Sequence, residues 1–218
     1  LKPNYKYSYT KEQIKKINKS KNFRLIGMGG STLGIEAIYQ FLKHKIKKNF
    51  IFINNLNPKL NNYKKKIKAA NIIISKSGNT LETIVNSNAL ISRSKNIFIT
   101  ENKRSYLSNL ANDLKAEIIE HKNYIGGRYS VLSEAGMVPA YLMGLDILKF
   151  RKNLLNHFRA RNKSYLKDSS TKLASILQRK KLNNLIFFNY VPQLNKFLYW
   201  NQQLIAESLG KKGKGFLP

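Results

Sequence analysis

The sequence predicts an α/β fold with a doubly wound, five-stranded parallel sheet, and two observations carry this prediction. Apolar runs of strand length alternate with longer segments whose apolar residues recur at helical spacing. Turns rich in glycine and hydroxyl side chains follow two of the apolar runs, at residues 27–34 and 75–80. Ligands bind beyond the carboxyl ends of the strands in such a sheet, so both turns are expected at its functional edge.

The predicted strands are short runs of mainly β-branched and aromatic residues. Such runs suit strands that are buried on both faces of a parallel sheet. The five strands are predicted at residues 23–26, 50–53, 72–74, 97–100 and 116–119. The spacing of apolar residues predicts helices before and between them, at residues 11–20, 35–45, 59–69 and 84–91.

The later part of the chain is predicted to be mostly helical before the α/β pattern restarts. An apolar helix is expected at 135–148, followed by charged helices at 150–160 and 164–180. A strand at 185–188 and a helix at 194–209, ended by Gly210, follow. The chain therefore divides into a lead helix (1–19), a first α/β unit (20–150), connecting helices (151–183) and the beginning of a second unit (184–218).

One strand and one helix do not complete an α/β unit, and residue 1 is leucine rather than methionine. We therefore expect the chain to be truncated at both ends and to be a poor enzyme by itself. An unpaired strand edge and a partly uncovered apolar helix face would leave the second unit weakly held.

Composition excludes several classes of chemistry. The chain has no cysteine, which rules out disulfides, thiolate metal sites and a cysteine nucleophile. The three histidines are isolated from other metal-ligating residues, so no metal site is predicted. No apolar run approaches the length of a membrane span and no signal-peptide pattern is present, so a cytoplasmic protein without a membrane partner is expected.

The net charge is +29, from 40 lysines and arginines against 11 aspartates and glutamates. Such a charge is typical of nucleic-acid-binding proteins. However, the lysines are spread along the chain, and no nucleic-acid-binding motif accompanies them. Charge alone argues for solubility and non-specific association, so no specific nucleic-acid partner is predicted.

Residues 75–83, Ser-Lys-Ser-Gly-Asn-Thr-Leu-Glu-Thr, lie between a predicted strand and a predicted helix. Free N–H groups and the dipole of a first helical turn favour a phosphate. Ser75, Ser77 and Thr80 would add hydroxyl donors, and Lys76 a positive charge. The alternative is an ordinary helix start that Thr80 caps. This stretch alone does not decide between the two.

Four motifs, in this order, resemble those of the glucose-6-phosphate isomerase family in the sugar isomerase (SIS) superfamily. The second motif alone would indicate only some phosphosugar-binding SIS domain. The last two separate this family from sugar-phosphate regulators and amidotransferase isomerase domains. The motifs are Gly-Met-Gly-Gly-Ser-Thr-Leu-Gly (27–34), Ser-Lys-Ser-Gly-Asn-Thr-Leu-Glu-Thr (75–83), Gly-Gly-Arg-Tyr-Ser-Val-Leu-Ser (126–133) and Gln-Gln-Leu-Ile-Ala-Glu-Ser-Leu-Gly-Lys (202–211).

The resemblance implies a SIS-type sheet, the start of a second SIS-like unit, and an aldose–ketose isomerase of glycolysis and gluconeogenesis. Such an enzyme interconverts glucose 6-phosphate and fructose 6-phosphate through a cis-enediol, without a metal or cofactor. Glu207 resembles the general base, and Arg128 the cation that stabilises the enediolate. The residues that resemble substrate contacts are Gly30, Ser31, Ser75, Lys76, Ser77, Thr80 and Gln203.

The chain also departs from the family pattern. The family's ring-opening histidine and its C-terminal lysine have no counterpart before the chain ends. Glu82 resembles the residue that partners this histidine, so it is expected to contact a site residue and not the substrate itself. The family usually builds its site from two subunits, and this implies a homodimer.

Alternatives to the catalytic interpretation stay open at this point. The protein could be a phosphosugar-binding SIS module without isomerase chemistry. Glu207 could be a solvated residue near a helix end, and Arg128 an ordinary loop residue. Residues 27–34 do not have the G-x-G-x-x-G spacing of a dinucleotide-binding turn.

Overall fold

All five strands predicted in the first unit form one sheet in the computed structural model. The structure describes residues 4–57, 68–91, 95–152, 154–158, 160–180 and 184–210. The strands are parallel, in the order β2-β1-β3-β4-β5. Their bounds are β1 Asn22–Gly27, β2 Asn49–Ile53, β3 Ala70–Ile74, β4 Asn96–Thr100 and β5 Glu117–Glu120.

The strand order reverses between β1 and β3, and this position is the switch point of a doubly wound sheet. Gly27 at the end of β1 is in register with Ile74 at the end of β3. The two motif turns that follow these strands therefore begin side by side at one edge. We call this edge, where the strands end, the carboxyl edge.

Helices cover both faces of the sheet. The described α-helices are α1 Lys11–Asn18, α2 Leu33–Phe41, α3 Leu81–Leu90, α4 Tyr106–Asp113, α5 Glu134–Leu142, α6 Ile147–Lys152, α7 Ala160–Lys180 and α8 Asn195–Leu209. Shorter 3₁₀ turns form at Gly29–Ser31, Lys43–Lys45, Gly127–Leu132, Leu154–Phe158 and Pro192–Leu194. None of the described helices is both long and apolar enough to cross a membrane.

Alternation along the strands divides the core into two clusters. Phe23, Leu25 and Ile72 point to the face covered by α1, α2 and α5. Ile26 and Ile73 point to the opposite face, which α3 and α4 cover. These side chains have essentially no exposed area, so the sheet is buried on both sides, as its apolar runs predict.

Most helix predictions are confirmed, with differences at the ends. The helix predicted at 135–148 is divided, because the chain turns at Gly144 with φ +84° and resumes as α6. The helix predicted at 150–160 is correspondingly replaced by α6 and a 3₁₀ turn. The helix α4 was not predicted, and the helix predicted at 59–69 falls mainly outside the described residues.

The strand predicted at residues 185–188 is wrong. Only Asn184 makes an isolated bridge, and the following residues to Tyr190 have no regular structure. A strand needs a neighbouring strand to pair its N–H and C=O groups, and no described strand lies beside this segment. Ile186 and Phe188 are accordingly 72% and 80% exposed.

The helix predicted at 194–209 is confirmed as α8, and Gly210 is its C-cap. It lies against α2, where the Lys196 ammonium is 2.7 Å from a carboxylate oxygen of Glu36. The Lys196 backbone N–H also donates to Gln40 at 2.9 Å. Trp200 packs near Gly34, which has no side chain to keep the ring away. These contacts attach α8 to the carboxyl edge, although none of its described residues is fully buried.

Candidate active site

The turn after β1 is shaped to receive the loop at residues 126–133. A side chain on Gly30 would come within 2.4 Å of the Arg128 backbone nitrogen and 2.6 Å of the Gly127 carbonyl oxygen. Only glycine permits this approach, and the backbones of Gly30 and Gly127 therefore lie against each other. The Ser130 hydroxyl fixes the loop by donating to the Gly127 carbonyl at 2.7 Å.

The turn after β3 forms a cluster of hydroxyl groups at the start of α3. The hydroxyls of Ser75 and Thr80 are 2.9 Å apart. The Gly78 N–H donates to Ser75 and the Asn79 N–H to Ser77, each at 3.2 Å. Thr80 occupies the N-cap position of α3, as the alternative interpretation expects, but its hydroxyl bonds to Ser75 and does not cap the helix. The free N–H groups of the first helical turn therefore remain directed at this turn.

The Lys76 ammonium belongs to an ion-pair network at the end of β4. It donates to the Asn123 carbonyl at 2.8 Å and lies 3.6 Å from the Glu101 carboxylate. Lys103 contacts the same carboxylate at 2.5 Å. The hydrogen bond from Lys103 and the charge of Lys76 lower the pKa of Glu101 below its ordinary value.

The loop 126–133 meets α8 through an arginine and a carboxylate. The Arg128 Nη1 group donates to Glu207 Oε2 at 2.9 Å, and its Nε group donates to the Ser208 hydroxyl at 3.0 Å. The Tyr129 and Ser208 hydroxyls are 2.7 Å apart. Hydrogen bonds with Tyr129 and Glu207 raise the pKa of Arg128 further above its ordinary value. The guanidinium is thus a permanent cation whose orientation is fixed.

Gln203 joins the same carboxylate from one helical turn away. Its Nε2 group donates to Glu207 Oε1 at 2.8 Å. Gly29, with φ +51°, makes room for it, because a Cβ there would lie 2.7 Å from that nitrogen. The Gln203 Oε1 atom is buried and accepts no hydrogen bond from another described residue. It is therefore an acceptor without a donor at the edge of the cavity.

A cavity of about 430 Å³ opens beside these groups. Its volume falls in the range that small-molecule sites occupy. The residues that line it come from α2, the end of β2 and α8; they are Leu33, Asn54, Lys196, Tyr199, Gln202, Gln203, Ala206 and Glu207.

The structure gathers the predicted residues into two neighbouring groups at the carboxyl edge. Gly30, Arg128, Gln203 and Glu207 form the first group, and Ser31 lies in the same 3₁₀ turn as Gly30. The second group comprises Ser75, Lys76, Ser77 and Thr80 after the adjacent strand. Glu82 lies in the first turn of α3, where its carboxylate makes no ion pair with a described residue.

Sequence reasoning missed four contributors to the site. Ser208 directly follows Glu207 in the fourth motif, so the sequence already indicates that it lies near the site. Glu101 follows β4 directly, and the rule that ligands bind beyond strand ends could have found it. Tyr129 lies inside the third motif, directly after Arg128, so it could also have been found, whereas Trp200 carries no local signal. Trp200 Nε1 donates to the Arg128 carbonyl at 3.2 Å, a contact that only the fold creates. Among the residues described, no three metal-ligating side chains cluster together.

Solved structures share this architecture. A hypothetical protein from Thermus thermophilus matches with a TM-score of 0.75 and 23% identity, over 94% of this chain and 55% of that one. A tagatose-6-phosphate ketose/aldose isomerase from Escherichia coli matches with a TM-score of 0.58 and 14% identity, over 94% of this chain and 58% of that one. The chain thus has the SIS-type α/β fold that its motifs predict.

The sequence narrows this class to one family. The sequence profile of phosphoglucose isomerase matches residues 8–214, and the chain belongs to that family. Glucose-6-phosphate isomerases from Methanocaldococcus jannaschii and Acholeplasma laidlawii are each 34% identical to it. These matches cover 97% and 96% of this chain, and 56% and 57% of the relatives. The chain therefore spans about half the length of the curated relatives that it matches.

Proposed function

We propose that this chain contributes the phosphate site and the proton-transferring site of an aldose–ketose isomerase. Its substrates would be glucose 6-phosphate and fructose 6-phosphate. The observation that carries the proposal is the contact between Arg128 and Glu207 at 2.9 Å beside the cavity, with Gln203 on the second carboxylate oxygen. A carboxylate and a fixed cation in contact are what a proton transfer through an enediolate needs.

Glu207 is the general base in this proposal. In the open-chain aldose, it takes the proton from C2, and the electron pair of the C–H bond moves to form the C1–C2 double bond. The C1 carbonyl oxygen then becomes an oxyanion, and Arg128 stabilises it. The C2 hydroxyl proton then moves to the C1 oxyanion, and Glu207 returns its proton to C1 as the C2 carbonyl forms, which gives the ketose. No atom of a cofactor takes part in these steps.

Binding of the sugar phosphate uses the neighbouring turn. Ser75, Ser77, Thr80 and the N–H groups at the start of α3 would hold the phosphate, and Lys76 would add charge to the surroundings. The unpaired Gln203 Oε1 atom supports a contact with a sugar hydroxyl, because such a group would supply the missing donor. Gly30 and Ser31 would contact the sugar at the first turn.

The relatives' names support this substrate. The family's name and the names of the relatives from two organisms are those of glucose-6-phosphate isomerases. We further propose that the protein acts in the cytoplasm as a homodimer. Glu82 is proposed as a residue behind the site, because its carboxylate has no ion pair in the described part of the chain.

The decisive experiment replaces Glu207 with glutamine in the full-length protein that carries this sequence. Glu207→Gln keeps the size and most hydrogen bonding of the side chain but cannot take the proton. Isomerisation should fall roughly 10²- to 10⁴-fold, because a positioned base contributes about this much. Exchange of the substrate's C2 hydrogen with deuterium oxide, followed by NMR, should fall in parallel.

The matched control is Glu117→Gln. Glu117 is an exposed carboxylate at the start of β5, at the end of the strand away from the carboxyl edge. It should leave the isomerisation rate unchanged. A Glu207→Gln protein that exchanges the C2 hydrogen at the wild-type rate would show that another residue is the base. A wild-type protein that binds glucose 6-phosphate in calorimetry without isomerising it would favour a phosphosugar-binding module instead.

A further inference from the structure

The edge of the sheet opposite the cavity carries a row of lysines. Parallel strands all begin at one edge, which we call the strand-start edge. A lysine stands one or two residues before each of the five strands. These residues are Lys21, Lys48, Lys68, Lys95 and Lys115. Five adjacent strands span roughly 19 Å, so this spacing places cations repeatedly along a narrow line.

More lysines extend the row. Lys16 and Lys19 lie at the end of α1, and Lys45 and Lys47 lie before β2. Lys16, Lys95 and Lys115 line a common cavity of about 300 Å³. Lys48 is the exception, because it is partly buried and its ammonium donates to Asn18 at 2.7 and 2.8 Å. Eight exposed cations remain: Lys16, Lys19, Lys21, Lys45, Lys47, Lys68, Lys95 and Lys115.

The two edges of the sheet differ in how far their charged side chains form ion pairs. Among the described residues, five of the six ion pairs lie at or beside the carboxyl edge. None of the eight strand-start lysines forms an ion pair with a described carboxylate, although Asp113 and Glu117 are exposed nearby. A lysine-rich composition by itself would not segregate ion pairs in this way. The strand-start edge therefore combines a high positive charge with little internal neutralisation.

Helix dipoles explain only part of the row. The carboxyl ends of α1 and α4 favour Lys16 and Lys115, but this effect ends within the last turn. Lys21 and Lys47 adjoin strand starts instead. Lys95 and Lys115 also adopt left-handed backbone conformations, with φ 63° and 49°. Glycine adopts this conformation at lower cost than lysine, so the turn geometry does not explain why a lysine stands at either position.

An exposed aromatic residue accompanies the cations. Phe41 ends α2, directly before the Lys43–Lys45 turn, and is 51% exposed. Cations along a line with an aromatic ring beside them suit a single nucleic-acid strand, whose phosphates pair with lysines and whose bases stack on the ring. A duplex would need a wider basic surface with elements that enter a groove, and this narrow edge provides neither.

We propose that the strand-start edge binds single-stranded nucleic acid without sequence preference, while the cavity at the carboxyl edge stays free. Lysines along the row contact the phosphates, and Phe41 stacks on a base. This surface is distinct from the isomerase site and does not depend on the proposed function.

The test uses the whole chain and a fluorescently labelled 20-nucleotide oligouridylate, with binding followed by anisotropy. In the Lys21→Gln/Lys47→Gln/Lys95→Gln triple variant, the affinity should fall roughly 50-fold near 0.15 M salt. The slope of log K against log salt should become less steep by about two units, because about 0.7 counterion is released per phosphate contact on a single strand. Phe41→Ala should weaken binding at least about fivefold with an unchanged slope.

The matched control is Lys152→Gln/Lys167→Gln/Lys172→Gln, which removes the same charge from exposed positions on α6 and α7. It should bind nearly as tightly as the wild type, and saturating glucose 6-phosphate should not displace the RNA. Equal losses of RNA affinity in both triple variants would show that the RNA does not bind at the strand-start edge. Displacement by glucose 6-phosphate, tighter binding to a duplex, or binding to phosphatidylserine vesicles but not to RNA would overturn the proposal. Thermal unfolding of each variant shows that it is folded.

Discussion

The sheet body and the segment at residues 184–209 meet at the candidate site, but different forces hold them. In the body, Phe23, Ile73 and Phe98 have no exposed area. In the segment, no described residue is fully buried, and Tyr190 is 89% exposed. The body is held by apolar burial, whereas the segment combines partly buried packing, such as that of Trp200 near Gly34, with an ion pair and hydrogen bonds to α2 and the loop 126–133. The proposed phosphate site and the proposed base, Glu207, therefore lie on parts of unequal burial.

The largest expected difference between the two regions concerns stability. Ile73→Ala should lower the free energy of unfolding by about 2–5 kcal/mol, because it leaves a cavity in a packed sheet. Ile186→Ala makes the same change at a position that is 72% exposed, and should cost less than about 0.5 kcal/mol. Urea unfolding followed by circular dichroism measures both. Equal losses would show that Ile186 is buried in solution.

A second comparison concerns substrate binding by the body. Lys76→Ala should weaken the affinity for a hexose 6-phosphate about ten- to a hundredfold, since a charge-assisted contact contributes about 1.5–3 kcal/mol. Lys103→Ala removes the other cation on Glu101 and is the matched control, with a smaller expected effect. Titration calorimetry measures both variants. Unchanged affinity in Lys76→Ala would assign this lysine to the Glu101 network alone.

A third comparison concerns the bridge between the two regions. Ser208→Ala removes the hydroxyl that accepts from Arg128 Nε, and should lower the turnover rate about three- to tenfold, the equivalent of one hydrogen bond. The substrate KM should change little, because the proposed phosphate site lies on the body. Ser208→Thr keeps the hydroxyl and should restore most of the rate. A rise in KM with an unchanged turnover rate would contradict the separation of roles.

The smallest expected effect concerns pH. His121 follows β5 and is 1% exposed; burial lowers its pKa below the ordinary histidine value. The folded state therefore keeps it neutral, while the unfolded state binds a proton as the pH falls below about 6.5. Its contribution to stability is present above that pH and is lost as the pH falls.

His121→Gln should therefore reduce the dependence of the unfolding free energy on pH between about pH 7 and 5. The control is His157→Gln, at an exposed position in the 3₁₀ turn that follows α6. Chemical unfolding at several pH values measures both variants. A steeper dependence on pH in His121→Gln would mean that the buried ring is charged.

The sheet could be predicted from the sequence because its strands are apolar on both faces, a pattern that depends only on local composition. The same reasoning failed at residues 185–188, since this run resembles a buried strand but pairing depends on a neighbour elsewhere. The helix α4 was missed because its eight residues alternate apolar and polar side chains over barely two turns, and its start depends on a capping box between Ser105 and Ser108.

The roles expected of Arg128 and Glu207 in the candidate site were predictable only through the motifs. Glu207 and Arg128 are 79 residues apart, so nothing local indicates their contact. The hydroxyl cluster at Ser75 and Thr80 could be predicted, because a strand, a turn and a helix start are contiguous in the chain. The direction of the Lys76 side chain could not, since it depends on Glu101 from the adjacent strand.

The separation of ion pairs from unpaired lysines gives the sheet body an electric dipole moment directed along its strands. A molecule with such a moment rotates as it approaches a negatively charged surface, and its lysine row turns toward that surface. The cavity then faces the surrounding solution, where small anions diffuse freely. Immobilisation on an anionic matrix through the lysine row would therefore leave the cavity accessible from solution.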